Sequence, residues 1–261
     1  MKNLIYLSLL LALLASCKQA TETTSDAKEM VKEVVKKEYP MVMSKIFDNH
    51  GSLEKWNSMK AMTYEIVKPD GNEKQMIDLQ KRHERIETPN AISGFTGTDY
   101  WVNQDTSYKG NVKFYTNLMF YFYAMPFVLA DDGINYSATE PLEFEGVSYP
   151  GMRISYGSGV GVSPEDEYFI HYDPKTNEMA WLGYTVTFHS GTKSDRISWI
   201  RYNDWKNFNG LKLPNTMTWF KSEDGKVTEA RNTREFQNVQ ISETAFPAGT
   251  FDMPADGRIV G

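Results

Sequence analysis

The chain has 261 residues, 24 % of them charged, a formal net charge of −6 and a single cysteine. An acidic balance without a basic stripe excludes nucleic acid as a partner, because no row of cations is present to release counterions from phosphates. One cysteine excludes an internal disulfide, and an aromatic content of 13 % suits broad sheets better than a helical bundle.

The start of the chain is a targeting segment. Lys2 precedes a run from Leu4 to Leu14 broken only by Ser8, and the small residues Ala15 and Ser16 follow. The run is shorter than the roughly 20 apolar residues that span a bilayer. Leu14-Ala15-Ser16-Cys17 resembles the lipobox of bacterial lipoproteins, which implies cleavage after Ser16 and acyl chains, of which palmitate is one, on Cys17. One chain gives marginal membrane binding, whereas two or more hold stably. Lys18 is not the aspartate that retains such proteins at an inner membrane, and no acidic cluster follows directly. The resemblance therefore implies an outer-membrane anchor facing the periplasm. Residues 1–16 read as a signal peptide, 17–39 as a lipidated tether and 40–261 as one domain. Twenty tether residues, fully extended, reach roughly 65 Å.

Pro40 to Asn49 reads as a short helix, ended by His50-Gly51. Ser52 can cap a second, carrying Leu53, Trp56 and Met59. "MTYEIV" and "QMIDLQ" alternate as strands around an Asp70-Gly71 turn. The segment 114–129, "FYTNLMFYFYAMPFVL", is apolar nearly all round and reads as a buried helix interrupted at Pro126, a plug or lid for whatever the sheet encloses. Asn117 is its one clearly polar residue away from the ends. From Leu142, "LEFEGV", "MRISY", "EYFIHYD", "MAWLGYTVTF", "RISWIRYNDW", "TMTWFKS" and "VTEARNTREF" read as strands. The stretches "YPG", "GSGVGVSPED", "PKTNE", "SGTKSD", "NFNGLKLP" and "EDGK" read as turns between them. Short turns imply an antiparallel meander, with no long helix between Met152 and Phe236.

Several features jointly carry a resemblance: His50-Gly51, the Trp56 helix, the proline-interrupted apolar segment, Tyr172-Asp173-Pro174 with Thr176, Tyr202 with Asp204, and Gly210-Leu211 with Leu213-Pro214. Together they resemble the lipoprotein carrier and receptor (LolA/LolB-like) superfamily, and more closely an uncharacterised family of Gram-negative lipoproteins. The resemblance covers roughly residues 41–240. It implies an α+β fold: a curved, half-open antiparallel β-barrel, helices over its concave face, and an apolar cavity between.

No catalytic constellation stands out. His50, His83, His171 and His189 share no ligand spacing, so no zinc site is supported. "GSGVGVS" lacks the lysine of a phosphate loop. Glu165-Asp166-Glu167 are sequence neighbours that an extended strand points to opposite faces, and "DPKTNE" lacks the order of a calcium loop. The informative surplus is aromatic: Phe120, Tyr123, Phe127, Trp181, Trp199 and Trp219, with Asn117, are the candidates for a ligand wall, since such side chains re-pack around varied apolar ligands. The favoured reading is a monomeric, lipid-anchored binder of an apolar or lipid-like molecule or acyl chain, with no cofactor, metal or nucleic acid. A hydrolase with a dispersed site, a glycan binder and a passive scaffold are the rivals.

Overall fold

The computed structural model of the chain describes residues 37–103, 108, 110–157, 163, 165–223 and 225–260. Cys17, where lipidation is expected, lies outside these residues. Two units separate at Glu38/Tyr39, and every described helix and strand belongs to the second. Its chain order is α1 (Met41–Asn49), α2 (Leu53–Ser58), β1 (Ala61–Ile66), β2 (Glu73–Asp78), β3 (Glu84–Glu87), β4 (Ile92–Phe95) and β5 (Tyr100–Asn103). Then come α3 (Val112–Tyr115), α4 (Leu118–Tyr123), a 3-10 turn (Phe127–Ala130), β6 (Ile134–Phe144), β7 (Val147–Tyr156) and β8 (Tyr168–Tyr172). The last strands are β9 (Met179–Tyr184), β10 (Ser198–Phe208), β11 (Leu211–Glu223), β12 (Lys226–Ser242) and β13 (Gly257–Val260).

All thirteen strands form one curved, open sheet in the order β13-β5-β4-β3-β2-β1-β12-β11-β10-β9-β8-β7-β6. Every neighbouring pair is antiparallel. The meander of β6 to β12 joins the meander of β1 to β5 through the β12–β1 pair. No helix lies between Met152 and Phe236 among the described residues. Strands β3, β4, β5 and β13 add to those that alternation predicts.

Two turns fall elsewhere than the sequence suggests. "LEFEGV" is not one strand: Glu145 (φ 49°) and Gly146 (φ 78°) form the β6–β7 hairpin. Tyr149-Pro150-Gly151, read as a turn, lies inside β7. Pro150 is tolerated there because the β6–β7 register slips between Thr139 and Leu142, and pairing to β8 begins only at Gly151. Likewise Asn209-Gly210 (φ 51° and 88°) alone turns β10 into β11, and Leu211 to Pro214 are strand.

The alternation of strand side chains splits the apolar residues into two clusters. The larger one joins Met62, Tyr64, Ile66, Ile77, Ile154, Ile170, Leu182, Ile200, Met217 and Phe236 of the sheet to the helical residues Ile46, Phe47, Trp56, Phe120, Tyr123 and Phe127. The smaller one holds Leu142, Tyr149, Trp181, Trp199 and Val227.

The apolar segment is helical in three pieces rather than one. Asn111 caps α3, its Oδ1 accepting from Phe114 N at 3.0 Å. Asn117 (φ 58°, ψ −2°) then breaks the path in the left-handed region that asparagine tolerates, and α4 starts directly after it. The Met125–Pro126 bond is cis and leads into the 3-10 turn. Burial is secured by rings: Tyr123 stacks on Phe236 at 4.2 Å between centroids, Trp56 on Phe127 at 4.8 Å, and the Tyr202 hydroxyl donates to the Phe122 carbonyl at 2.7 Å.

Candidate functional site

On β2, the inward parity that carries Ile77 also carries Glu73 and Gln75. On β3 the same face carries Glu84 beside Ile86. These three polar side chains are essentially inaccessible, at 2 %, 0 % and 0 % exposure. A buried carboxylate is tolerable only when hydrogen-bonded or neutralised. Glu73 takes the first route. Its Oε1 accepts from Gln75 Nε2 (2.7 Å) and Tyr115 Oη (2.8 Å), and its Oε2 from Lys68 Nζ (2.5 Å). Gln75 in turn accepts from the Tyr64 hydroxyl directly across the strand pair.

Glu84 takes the second route. Its Oε2 accepts from the Asn117 backbone N–H at 2.6 Å, while Oε1 is buried without a partner among the described residues. Burial raises its pKa to about 8, reinforced by the nearby Glu73 and opposed by the Asn117 N–H, so the carboxyl is held as the neutral acid at pH 7. Asn117 also donates through Nδ2 to the Arg82 carbonyl at 3.1 Å. The break between α3 and α4 is thereby pinned to β3 and the turn before it.

Above this buried network opens a cleft of about 400 Å³. Tyr115 and Met119 border it from the helical pieces, Ile86, Thr88, Ala91 and Ser93 from the β3–β4 hairpin, Trp219 from β11, and Arg231, Asn232 and Arg234 from β12, with Lys68, Glu73 and Tyr108 completing it. Its lining is therefore mixed, not the wholly apolar one that the resemblance implies. Trp219 donates Nε1–H to the Tyr184 hydroxyl at 3.0 Å and meets Phe122 edge-on at 6.1 Å.

Of the residues that the sequence singles out, this arrangement brings Trp219 to the cleft. Phe120, Tyr123 and Phe127 are wholly buried in the larger cluster. Trp181 and Trp199 belong to the smaller one, on the other face. The register gives the reason: Trp219 pairs with Ile200, whereas Trp199 pairs with Phe220 and Trp181 with Arg201, so the parities differ. Asn117 is pinned as described. Glu73, Gln75 and Glu84 are not among the residues that the sequence singles out; the available signal was a polar residue on the parity of Ile77 for the first two and of Ile86 for Glu84.

The motifs behind the resemblance converge elsewhere, at the end of α1. His50 is buried, its Nε2 accepting from the Met179 N–H at 3.0 Å, and its carbonyl accepting from Lys212 N at 2.8 Å. An accepting Nε2 requires the neutral ring with the proton on Nδ1, which faces the Lys212 carbonyl at 3.4 Å. Burial lowers the His50 pKa to about 4. Gly51 (φ 113°) has no room for a side chain, since a Cβ would lie 2.2 Å from the Gly210 carbonyl oxygen. Asp173 closes the neighbouring turn by accepting from the N–H groups of Lys175 and Thr176 at 2.8 and 2.9 Å. These residues are an architectural joint. His171 is satisfied too, its Nδ1 lying 3.0 Å from the Tyr149 carbonyl. Asp166 accepts from the N–H and hydroxyl of Thr187, and Glu167 pairs with Arg153. Among the described residues no His/Cys/Asp/Glu group is disposed to hold a metal ion, and no helix is long and apolar enough to cross a membrane.

Residues 103–232 match a family model described as a family of unknown function, DUF6503. No curated protein matches the chain. Solved structures similar to it include a LolA superfamily protein from Nitrosomonas europaea, of the superfamily that the sequence motifs resemble. It is 8 % identical with a TM-score of 0.44, the match covering 77 % of this chain and 94 % of that one. A DUF1329 family protein from Desulfovibrio piger is 10 % identical with a TM-score of 0.42, over 74 % and 90 %. An outer membrane lipoprotein-sorting protein domain from Vibrio parahaemolyticus is 8 % identical with a TM-score of 0.36, over 80 % and 97 %.

Proposed function

We propose that this chain is a lipid-anchored envelope protein that binds an apolar or lipid-like ligand, or an acyl chain, in the cleft beside Trp219. In this reading Cys17 carries the acyl groups, residues 17–39 tether the domain 40–261 to the outer membrane on its periplasmic side, and the protein works as a monomer. The helical pieces between Val112 and Ala130 are the cover over the concave face of the sheet. The observation that supports the reading is the cleft itself. Its volume of about 400 Å³ falls within the range of roughly 300–1,000 Å³ usual for ligand sites. Ile86, Met119 and Trp219 offer it apolar contacts, and Lys68, Ser93, Arg231, Asn232 and Arg234 are among the polar groups that line it with them.

The test is mass spectrometry of molecules extracted from protein purified out of native membranes. An amphiphile recovered with the wild-type chain and lost from Trp219→Ala is the expected result. A chain that yields no such molecule and binds no fluorescent fatty acid would return the protein to the scaffold reading.

A further inference from the structure

Beyond the volume of the cleft, the distribution of charge around it is informative. Three cations border it, Lys68, Arg231 and Arg234, against one carboxylate, Glu73. That carboxylate is already engaged by Lys68, Gln75 and Tyr115. Neither arginine makes an ion pair among the described residues, and the chain as a whole is acidic at −6. Two uncompensated guanidinium groups on an acidic protein therefore face one cleft.

Their convergence is built by a defect in the sheet. Arg231 and Arg234 stand three apart on β12, and in regular strand such residues point to opposite faces. The pairing with β11 runs Trp219↔Asn232 and then Phe220↔Ala230, which leaves Arg231 as an extra residue opposite no partner. A bulge of this kind re-aims the side chain it carries. Arg231, Asn232 and Arg234 consequently all border the cleft, directly beside Trp219.

We infer that the Arg231/Arg234 pair binds an oxyanion, a carboxylate or phosphate, which is the head of an amphiphile whose apolar part lies along Trp219, Met119 and Ile86. Guanidinium forks match such groups with paired, charge-assisted hydrogen bonds. The inference rests on the ligand-binding reading above and narrows its ligand class.

The full chain in dilute non-ionic detergent can be titrated with dibromostearate, whose bromines quench nearby indoles, and with its neutral methyl ester. The acid should bind about tenfold or more tightly than the ester, the size of one hydrogen bond to a charged group. The Arg231→Gln/Arg234→Gln variant, folded by its unchanged melting temperature, should lose that preference, and Arg231→Lys/Arg234→Lys should recover part of it. Quenching should vanish in Trp219→Phe, and its persistence there would place binding elsewhere and overturn the inference. Equal binding of acid and ester would remove the oxyanion site and leave the apolar reading intact. Absence of quenching by both would remove the two together. Inorganic phosphate that displaces the acid from the wild type, but not from the glutamine variant, would identify the free anion as sufficient. Failure to displace a tightly bound acid would assign the lipid headgroup.

Discussion

The buried Glu84 makes a quantitative demand on stability. Its carboxyl titrates near 4.5 when the chain is unfolded and at about 8 when folded, so between those values the folded chain holds a proton that the unfolded chain has released. Stability must then fall as pH rises: the contribution is fully present below about 4.5 and gone above about 8. The whole shift corresponds to about 5 kcal/mol at 1.36 kcal/mol per pKa unit, and roughly half of it falls between pH 6 and 8.5. Glu84→Gln keeps the shape and an oxygen for the Asn117 N–H while removing the titration. Urea unfolding midpoints at pH 6 and 8.5 give the assay. The wild type should lose about 2–3 kcal/mol more than the variant across that interval, out of a total stability on the order of 5–15 kcal/mol. Parallel pH profiles for the two proteins would show that Glu84 is ionised in the fold, and the account of its burial would be wrong.

Four further outcomes follow from other parts of the molecule. His50, neutral in the fold and titrating at about 4 rather than 6.5, should cost stability as pH falls below 6.5, by about 3 kcal/mol once below 4; the acid limb of the same unfolding series should flatten in His50→Gln. Gly51→Ala should destabilise by several times the ~1 kcal/mol of an ordinary glycine replacement, since a positive φ and a 2.2 Å clash with Gly210 coincide; a melting temperature within a degree of wild type would contradict this. Trp181→Ala should cost about 3–5 kcal/mol without changing ligand affinity, whereas Trp219→Ala should do the reverse, and calorimetry with a fluorescence titration separates the two. Cys17→Ala should release the protein from membranes into the soluble fraction still folded, which fractionation and circular dichroism will read.

Most of the architecture was legible because it depends on near neighbours in sequence. Period-two alternation marked β1, β2 and the strands from β8 to β12, and Ser52 announced its helix by a cap that accepts from Lys55 N at 3.2 Å. What escaped depends on partners distant in the chain. Pro150 looks like a breaker until pairing with β6 places it in an irregular stretch. Arg231 looks like one exposed residue of a strand until β11 leaves it unpaired. The break at Asn117 has no local signature strong enough to find, because its anchor, Glu84, lies 33 residues away.

That last dependence explains why polar groups sit beneath the least polar segment of the protein. Apolar burial is non-directional and grows with area, so a segment apolar on every side could slide or rotate over the sheet at little cost. Hydrogen bonds to fixed partners resist such movement because they fail within tenths of an ångström and tens of degrees. Such bonds are spaced along this segment, among them Tyr115 to Glu73, the Asn117 N–H to Glu84, and the Phe122 carbonyl to Tyr202. The first two set where α3 ends and α4 begins, and these ends carry Tyr115 and Met119 to the cleft. The buried carboxyls thus position one side of the cleft from below, while the β12 bulge brings Arg231 to the same cleft as Arg234 of that strand.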